Sequence, residues 1–330
     1  MYDLSEWNYY VHLREESQTK QALGGNVTIG LVVDTPIYET MVLFNQLWKQ
    51  VYEFERQFSR FIPDSELSRF NRKAGSKQNI SIEFEQLLTR AKQLGQQTEG
   101  LYNPFIFPAL QKAGYNKSAS PGYEKDIQED YSDLRVENIE KLNIEKGWAE
   151  IPYGTAIDIG GCGKGYLADQ LGIYLEGKDV KGYWLSIGGD ILVKGKDANG
   201  ELISVAIQDS NNTDITSDWI MVAPVEGMAV ATSGTYLRRK QLSDKKWHHI
   251  IDPLTLEPAI TDVRLATVVT MSATKADVLA SCVVILGSKK SEQFLKNHDV
   301  ESALLQCIDK NGKYFELHFG DSIIRVNNHK

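Results

Sequence analysis

Two adjacent histidines, His248 and His249, sit in the stretch WHHIIDP (Trp247–Pro253), with Asp252 three residues past the second. The chain has six histidines in all, so a third of them gather here. An imidazole titrates near neutral pH and is the side chain most often used as a general base. The spacing HHxxD matches no zinc signature such as HExxH, so zinc ligation is discounted. In an extended segment, tandem side chains point to opposite faces. At most one of the pair then faces a given site, and a histidine in a strand is more often a satisfied core group than a catalyst.

A second stretch, SATKADVLASCVVILG (272–287), has the pattern of a buried helix, with Ser272 as N-cap and Gly287 as C-cap. Asp277 falls inside its largely apolar body, and Ser281, four residues on, projects from the same face. A buried carboxylate without a partner is expensive. Asp277 therefore needs either a structural hydrogen bond or a hard cation, and Mg2+ takes oxygen ligands of this kind.

Three glycine-bearing stretches complete the set. In AIDIGGCGKGYLADQL (156–171), an apolar strand carrying Asp158 runs through Gly160, Gly161, Gly163 and Gly165 into a helix. Glycines let a backbone approach a ligand closely, and a helix N-terminus offers free N–H groups to an anion. The spacing fits neither GxGxxG nor the P-loop, which leaves ligand binding and a plain tight turn both open. SIGGDILVKG (186–195) reads as a strand ending in a hairpin turn at Gly188–Gly189. ATSGTYLRR (231–239) reads as a small-residue turn followed by two arginines, which either recognise phosphate or are simply solvated.

The elements that must position these residues can be read from periodicity. Residues 26–34 (NVTIGLVVD) predict a strand. Met41, Phe44, Leu47, Trp48, Val51, Tyr52 and Phe58 recur at helical spacing and predict a long amphipathic helix from Thr35 to Phe58. Pro63 breaks the helical pattern, which restarts after Asp64 or Ser65, and residues 81–97 predict another helix. The aromatic segment 98–115 reads as a packed loop with short helical turns, and 116–135 as a polar surface excursion. From Trp148 onward the chain is strand-rich, with YWLSI, ILVKG, LISVAIQ, WIMVA, LATVVTM, SALLQCI, YFELHF and SIIRV as strands and helices at 163–176 and 273–286. Early helices and later strands predict an α+β architecture. With no repeat or low-complexity linker, one continuous two-lobed domain over 1–330 is expected, helix-rich over about 20–135 and strand-rich over about 148–326.

Composition sets the outer limits. The 330 residues are 42% hydrophobic and 24% charged, which is ordinary globular composition able to bury a core without staples. A net charge of −8 and the absence of a basic face set nucleic acid and anionic membrane aside as partners. Cys162, Cys282 and Cys307 are odd in number and show no CxxC spacing, so free buried thiols are expected, as suits a reducing compartment. The start MYDLSEWNYY has no signal-peptide pattern, and no apolar run is long enough to span a bilayer. A cytoplasmic location is the resulting expectation.

Taken in order, IDIGGCGKGYLAD, SIGGDI, ATSGTYLRR, HHIIDPLTLEP and TVVTMSATKADVLAS resemble the ApbE family of FAD:protein FMN transferases. FSRFIPDSELSRFN and TEGLYNPFIFPAL are similar to the family's two upstream signatures, so the resemblance runs from about Leu23 to Gly287. It implies an ApbE-like, T-fold-related α+β fold with mixed or antiparallel sheets and flanking helices. It also implies a reaction: FAD is split at its diphosphate, FMN is passed to a threonine or serine of an acceptor flavoprotein, and AMP leaves. One Mg2+ is implied, with a second left open.

Site residues follow from the same resemblance. The metal falls to Gly161, through its carbonyl, with Asp277 and Ser281. His249 falls to the general base, with His248 facing elsewhere. FAD contacts fall to Leu23, Phe61, Leu101, Tyr102, Asn103, Asp158, Lys164 and Ile251, with Ser233 and Gly234 near the phosphates. Leu23 stands where the family commonly has Met, Tyr102–Asn103 where it has Phe–Asp, and Leu256 where it has Gly. Ala280 offers no second carboxylate, which lowers the charge available to a second metal. Two other activities share these residues: an FAD pyrophosphatase with water as acceptor, and an FAD-binding protein without turnover.

Overall fold

A computed structural model describes residues 13–115, 130–210, 216–235, 240–242 and 245–325. Its centre is an eight-stranded sheet in which every neighbouring pair is antiparallel. The chain enters it through a hairpin, β1 (Arg14–Ala22) and β2 (Gly25–Val33). A helical segment follows, with α1 (Ile37–Phe58), α2 (Glu66–Arg72), β3 (Gln78–Asn79), α3 (Ile82–Gln97), α4 (Phe107–Lys112), β4 (Asn143–Glu145) and β5 (Trp148–Glu150). Then come α5 (Gly163–Glu176), β6 (Gly182–Ile187), β7 (Asp190–Gly195), β8 (Ser204–Gln208), β9 (Thr216–Val222) and β10 (Met228–Gly234). Four short strands follow: β11 (Lys240–Leu242), β12 (Lys245–Trp247), β13 (Ile251–Asp252) and β14 (Glu257–Pro258). The chain closes with β15 (Val263–Thr270), α6 (Ala273–Leu286), α7 (Ser288–Lys296), β16 (Ser302–Ile308), β17 (Tyr314–Gly320) and β18 (Ile323–Arg325). The main sheet runs β1-β2-β6-β7-β10-β15-β16-β17.

Period-two burial explains the layers. Val27, Ile29, Leu31, Leu185 and Leu192 point to one face, where α1 and α5 deliver Phe44, Leu47, Trp48, Leu167 and Leu171. Farther along that face α6 and α7 cover β15 and β16 through Leu279, Val283 and Leu295. The opposite face, with Val193, Val230, Val269 and Leu304, is covered by the small sheet β18-β9-β8 through Ile323, Met221 and Ile207. A further core joins α2, α3 and the aromatic loop to α5 and α6, through Phe70, Phe84, Phe105, Ile159 and Val278. Helices α5 and α6 are apolar on nearly all sides because they lie between these cores.

Several sequence expectations need correction. The N-terminal strands are part of the main sheet, since β2 pairs with β6, so the sheet draws on both halves of the chain. The residues 231–234 form the end of strand β10, not a turn: α6 packs directly on this strand, and small side chains such as Ala229 and Ala231 permit the approach. Arg238 and Arg239, residues 116–129 and Val326 lie outside the described residues. His248 and His249 lie in the turn between β12 and β13, not in a strand. All three cysteines are buried and free. Among the described residues, no helix is long and apolar enough to cross a membrane.

Candidate active site

The glycine stretch is built first. Asn71 on α2 accepts from the Ile157 amide (2.9 Å) and donates to the Ile157 carbonyl (2.8 Å), so one side chain stands in for a neighbouring strand. The Asp158 amide donates to the Pro104 carbonyl at 2.9 Å. Held on both sides, the segment delivers Gly160 and Gly161 to the N-terminus of α5. The carboxylate of Asp158 is ion-paired with Arg60, and both are buried.

Helix α5 is then locked to α6. A Cβ on Gly165 would lie 2.3 Å from the Ala273 carbonyl oxygen, so only glycine admits this helix contact. One turn later Asp169 caps α6: it accepts from the amides of Ala273 (2.7 Å) and Thr274 (3.0 Å), and from the hydroxyls of Ser272 (2.7 Å) and Thr274. A carboxylate at a helix N-terminus also complements the helix dipole. The lock sets Lys164 on α5 against Asp277 on α6, with Nζ 3.7 Å from Oδ2. Lys164 is closer still to Asp190, which opens β7 just after the hairpin turn. That two-residue turn holds Gly188 at φ 65° and Gly189 at φ 102°, a left-handed pair that side chains resist.

Asp277 is buried, and burial together with the charge of Asp190 pushes its carboxyl up to about 7, against the opposing pull of Lys164 and the Gly165 amide. Its Oδ2 has no hydrogen-bond partner. The hydroxyl of Ser281 lies 2.9 Å from that of Ser233 on β10. A carboxylate short of positive charge beside hydroxyl oxygens and the Gly161 turn fits a hard cation that takes few protein ligands. Among the described residues, no group of three or more His, Cys, Asp or Glu side chains gathers to hold a metal by itself, so a cation here would rest partly on hydroxyl, carbonyl and substrate oxygens.

The two histidines divide their work. His248 is buried and its Nδ1 accepts from the Ile250 amide at 3.3 Å. Nε2 therefore carries the proton and donates to the Ala259 carbonyl at 2.9 Å. Such an imidazole is a neutral strut. His249 instead lines the cleft, its ring centre 6.0 Å from that of Tyr115.

The cleft has two chambers. The first gathers Leu101, Tyr102, Asn103, Asp158, Gly161, Lys164, Ser233, Gly234, His249, Ile251, Asp277 and Ser281. The second gathers Leu23 and Phe61, and shares Asp158 and Lys164. Each residue assigned from the sequence to FAD, the metal or the base thus lines one of two adjoining chambers. Some also have structural duties. Tyr102 donates its hydroxyl to Cys162 Sγ at 2.9 Å, and burial raises both groups. Asn103 caps a short turn by accepting from the Phe105 amide (3.1 Å), and donates to the Glu137 carbonyl (2.8 Å). Leu23 sits in the β1–β2 turn at φ 55°, a strained conformation for leucine. Sequence reasoning missed Arg60, Tyr115, Asp169 and Asp190. Asp190 ends the SIGGD motif and Asp169 ends GKGYLAD, so both carried a signal; Arg60 carried none beyond its place between two phenylalanines.

An FAD:protein FMN transferase of Vibrio cholerae is 28% identical over 271 residues, covering 81% of this chain and 80% of that protein. The FAD:protein FMN transferase of Treponema pallidum is 26% identical over 314 residues, covering 90% and 86%. Among solved structures, the apo form of the Pseudomonas stutzeri flavinyl transferase ApbE has a TM-score of 0.78 at 22% identity, covering 93% of this chain and 95% of that one. A Thermotoga maritima ApbE protein superposes with a TM-score of 0.75 at 20% identity, covering 92% and 96%. These likenesses share the α+β fold described above. Residues 23–305 match the ApbE family as a whole, and the chain belongs to that family.

Proposed function

We propose that this protein is a Mg2+-dependent FAD:protein FMN transferase. The observation that carries the reading is the meeting of Asp277, Ser281, Lys164 and His249 in one chamber that continues into a second lined by Leu23 and Phe61. Two adjoining chambers suit the two halves of a dinucleotide, and diphosphate cleavage is helped by charge neutralisation and a base nearby.

In this reading the flavin of FAD lies against Phe61 in the second chamber with Leu23 beside it, the diphosphate passes Lys164 toward Ser233 and Gly234, and Leu101, Tyr102 and Asn103 run along the cofactor in the first chamber. Gly161, Asp277 and Ser281 would hold Mg2+, which when bound neutralises charge on the diphosphate. The acceptor is a threonine or serine hydroxyl of a flavoprotein. His249 takes the hydroxyl proton as the oxygen attacks the FMN phosphorus. A new O–P bond forms, the bond from that phosphorus to the bridging oxygen breaks, and AMP leaves with the bridging oxygen. Lys164 is held by Asp190 and Asp277, which keeps a cation in the chamber without letting it swing. Burial of the neighbouring groups strengthens each of these interactions.

The test is a mass measurement. The protein is mixed with FAD, Mg2+ and an acceptor carrying a flavinylatable threonine segment, and the acceptor is weighed. A gain of one FMN that disappears with EDTA is the expected result. FMN and AMP in solution with an unmodified acceptor would replace transfer by hydrolysis. Intact FAD on unmodified protein would replace both by binding alone.

A further inference from the structure

Arg60 is the buried charge that the proposed reaction leaves unused. The two chambers meet at a wall shared by Arg60, Tyr115, Asp158, Gly160, Lys164 and Gly188. Any dinucleotide that fills both chambers passes this wall. Its diphosphate is the linker between the two halves, and carries two negative charges. Among the described residues lining either chamber, the permanent cations are Arg60 and Lys164. Lys164 is already committed to two carboxylates, Asp190 and Asp277.

Arg60 has one carboxylate, Asp158. Its guanidinium carbon lies 4.8 Å from the ring centre of Phe61, 4.7 Å from that of Tyr115 and 5.8 Å from that of Phe107. Aromatic rings stack on the flat faces of a guanidinium and leave its N–H edge for recognition. On that edge Nη1 donates to Asp158 and a further N–H is hydrogen-bonded to the Tyr115 side chain, while Nε is buried with no hydrogen-bond partner. A Cβ on Gly160 would lie 3.1 Å from Nη1, so the group stands over the glycine turn that opens α5. A buried ion pair alone gives little net stability, because desolvation offsets the attraction. An under-satisfied guanidinium in a ligand cleft is instead what recognition of an oxyanion requires.

We propose that Arg60 is a substrate-binding residue that recognises the diphosphate where it crosses between the chambers, its N–H edge shared between Asp158 and a phosphate oxygen. The inference rests on FAD being the substrate. It assigns to Arg60 the linker rather than the flavin, although Arg60 adjoins Phe61 in the chain and stacks on it.

The test separates those parts of the ligand. Riboflavin, FAD and ADP are titrated against the full chain with Mg2+ present, flavins by fluorescence and ADP by competition with FAD. Arg60→Met should weaken FAD and ADP about ten- to a hundredfold, the range of a charge-assisted hydrogen bond, and leave riboflavin within about twofold. Arg60→Lys should recover part of the FAD affinity. Because Arg60→Met strands the Asp158 carboxylate, Asp158→Asn and the double variant Arg60→Met/Asp158→Asn are measured beside it, and Arg60→Met should show the same split when made in the Asp158→Asn background. Equal losses for riboflavin and FAD would reduce Arg60 to a brace for the fold and overturn the proposal. Wild-type FAD and ADP affinity in the Arg60→Met variants would overturn it too. Failure of the wild-type protein to bind FAD would overturn the proposed function itself, and is seen before any variant is made.

Discussion

The two walls of the first chamber are built to opposite standards. On the α5–α6 wall, Asp169 closes the helix end with backbone and hydroxyl donors, Gly165 brings the helices into backbone contact, and Asp277 is buried behind them. On the histidine wall, His249 sits in a short turn tied down by the bonds of its neighbour His248 to Ile250 and Ala259. Beyond it the β13–β14 hairpin carries Leu254 at 87% exposure and leads to Ile260, fully in solvent, with Leu256 held at φ 60°. The contrast suits a site with two kinds of guest. In the proposed reaction the small, highly charged ligand rewards fixed placement, whereas the acceptor hydroxyl would have to reach His249 from solvent.

The strongest test of that contrast is on the rigid wall. Asp277→Ala should lower transfer by about a thousandfold or more, the scale of losing a cation's stabilisation of charge, while FAD binding, read by fluorescence, persists. Transfer at the wild-type rate would remove Asp277 from the metal site. The same residue carries a pH signature in metal-free protein. Its folded carboxyl titrates at about 7, against about 3.9 in an unfolded chain. Between those values the folded state binds the extra proton, so stability falls as pH rises from about 4 to about 7 and then levels. Asp277→Asn should flatten that decline in melting temperature, and Mg2+ should stabilise the wild type more at pH 8 than at pH 5. A wild-type profile in the variant would contradict the assignment.

On the other wall, His249→Ala should slow transfer about a hundredfold, within the usual range for a general base. The residual rate should rise with pH as hydroxide takes over proton removal. Unchanged transfer would remove His249 as the base. Returning to the rigid wall, Asp169→Ala should cost about 2 kcal/mol of stability through the lost cap and its hydrogen bonds, and should raise the Mg2+ concentration needed for half-maximal transfer. A lower melting temperature with unaltered Mg2+ dependence would show that the cap serves stability alone. The smallest effect is expected at the hairpin. Leu256→Gly should stabilise by about 0.5 kcal/mol, since relief of left-handed strain exceeds the added backbone entropy. A loss of stability on chemical unfolding would mean that the leucine side chain packs better than its exposure suggests.

What could be read in the sequence was what repeats locally. The helix over 37–58 follows from apolar side chains at helical spacing, the helix over 273–286 from its end signals at Ser272 and Gly287 around an apolar body, and the strands β2, β6 and β7 from short apolar, β-branched runs. β1, with the sequence REESQTKQA, has no apolar alternation because it is a sheet edge that buries little, so its place is set by pairing with β2. β10 was hidden by its small residues, whose purpose shows only once α6 lies on them. The division between His248 and His249 is implied by the family likeness, and strand alternation plays no part in it, because the pair lies in the turn between β12 and β13. Arg60 was invisible because its partner Asp158 lies 98 residues away and no local pattern joins them.

The strand order of the main sheet has a consequence for how the protein is made. Along the sheet the strands follow chain order without exception, each new one adding to the edge left by the last. A ribosome therefore delivers the sheet in the order in which it zips up. The described lining of the second chamber, from Leu23 to Gly189, is thus made before any residue of α6. The cap at Asp169 waits for Ser272, 103 residues later, which is roughly 5–20 s of synthesis. Through that interval the growing polypeptide carries the residues of the second chamber without Asp277 or Ser281 of the first.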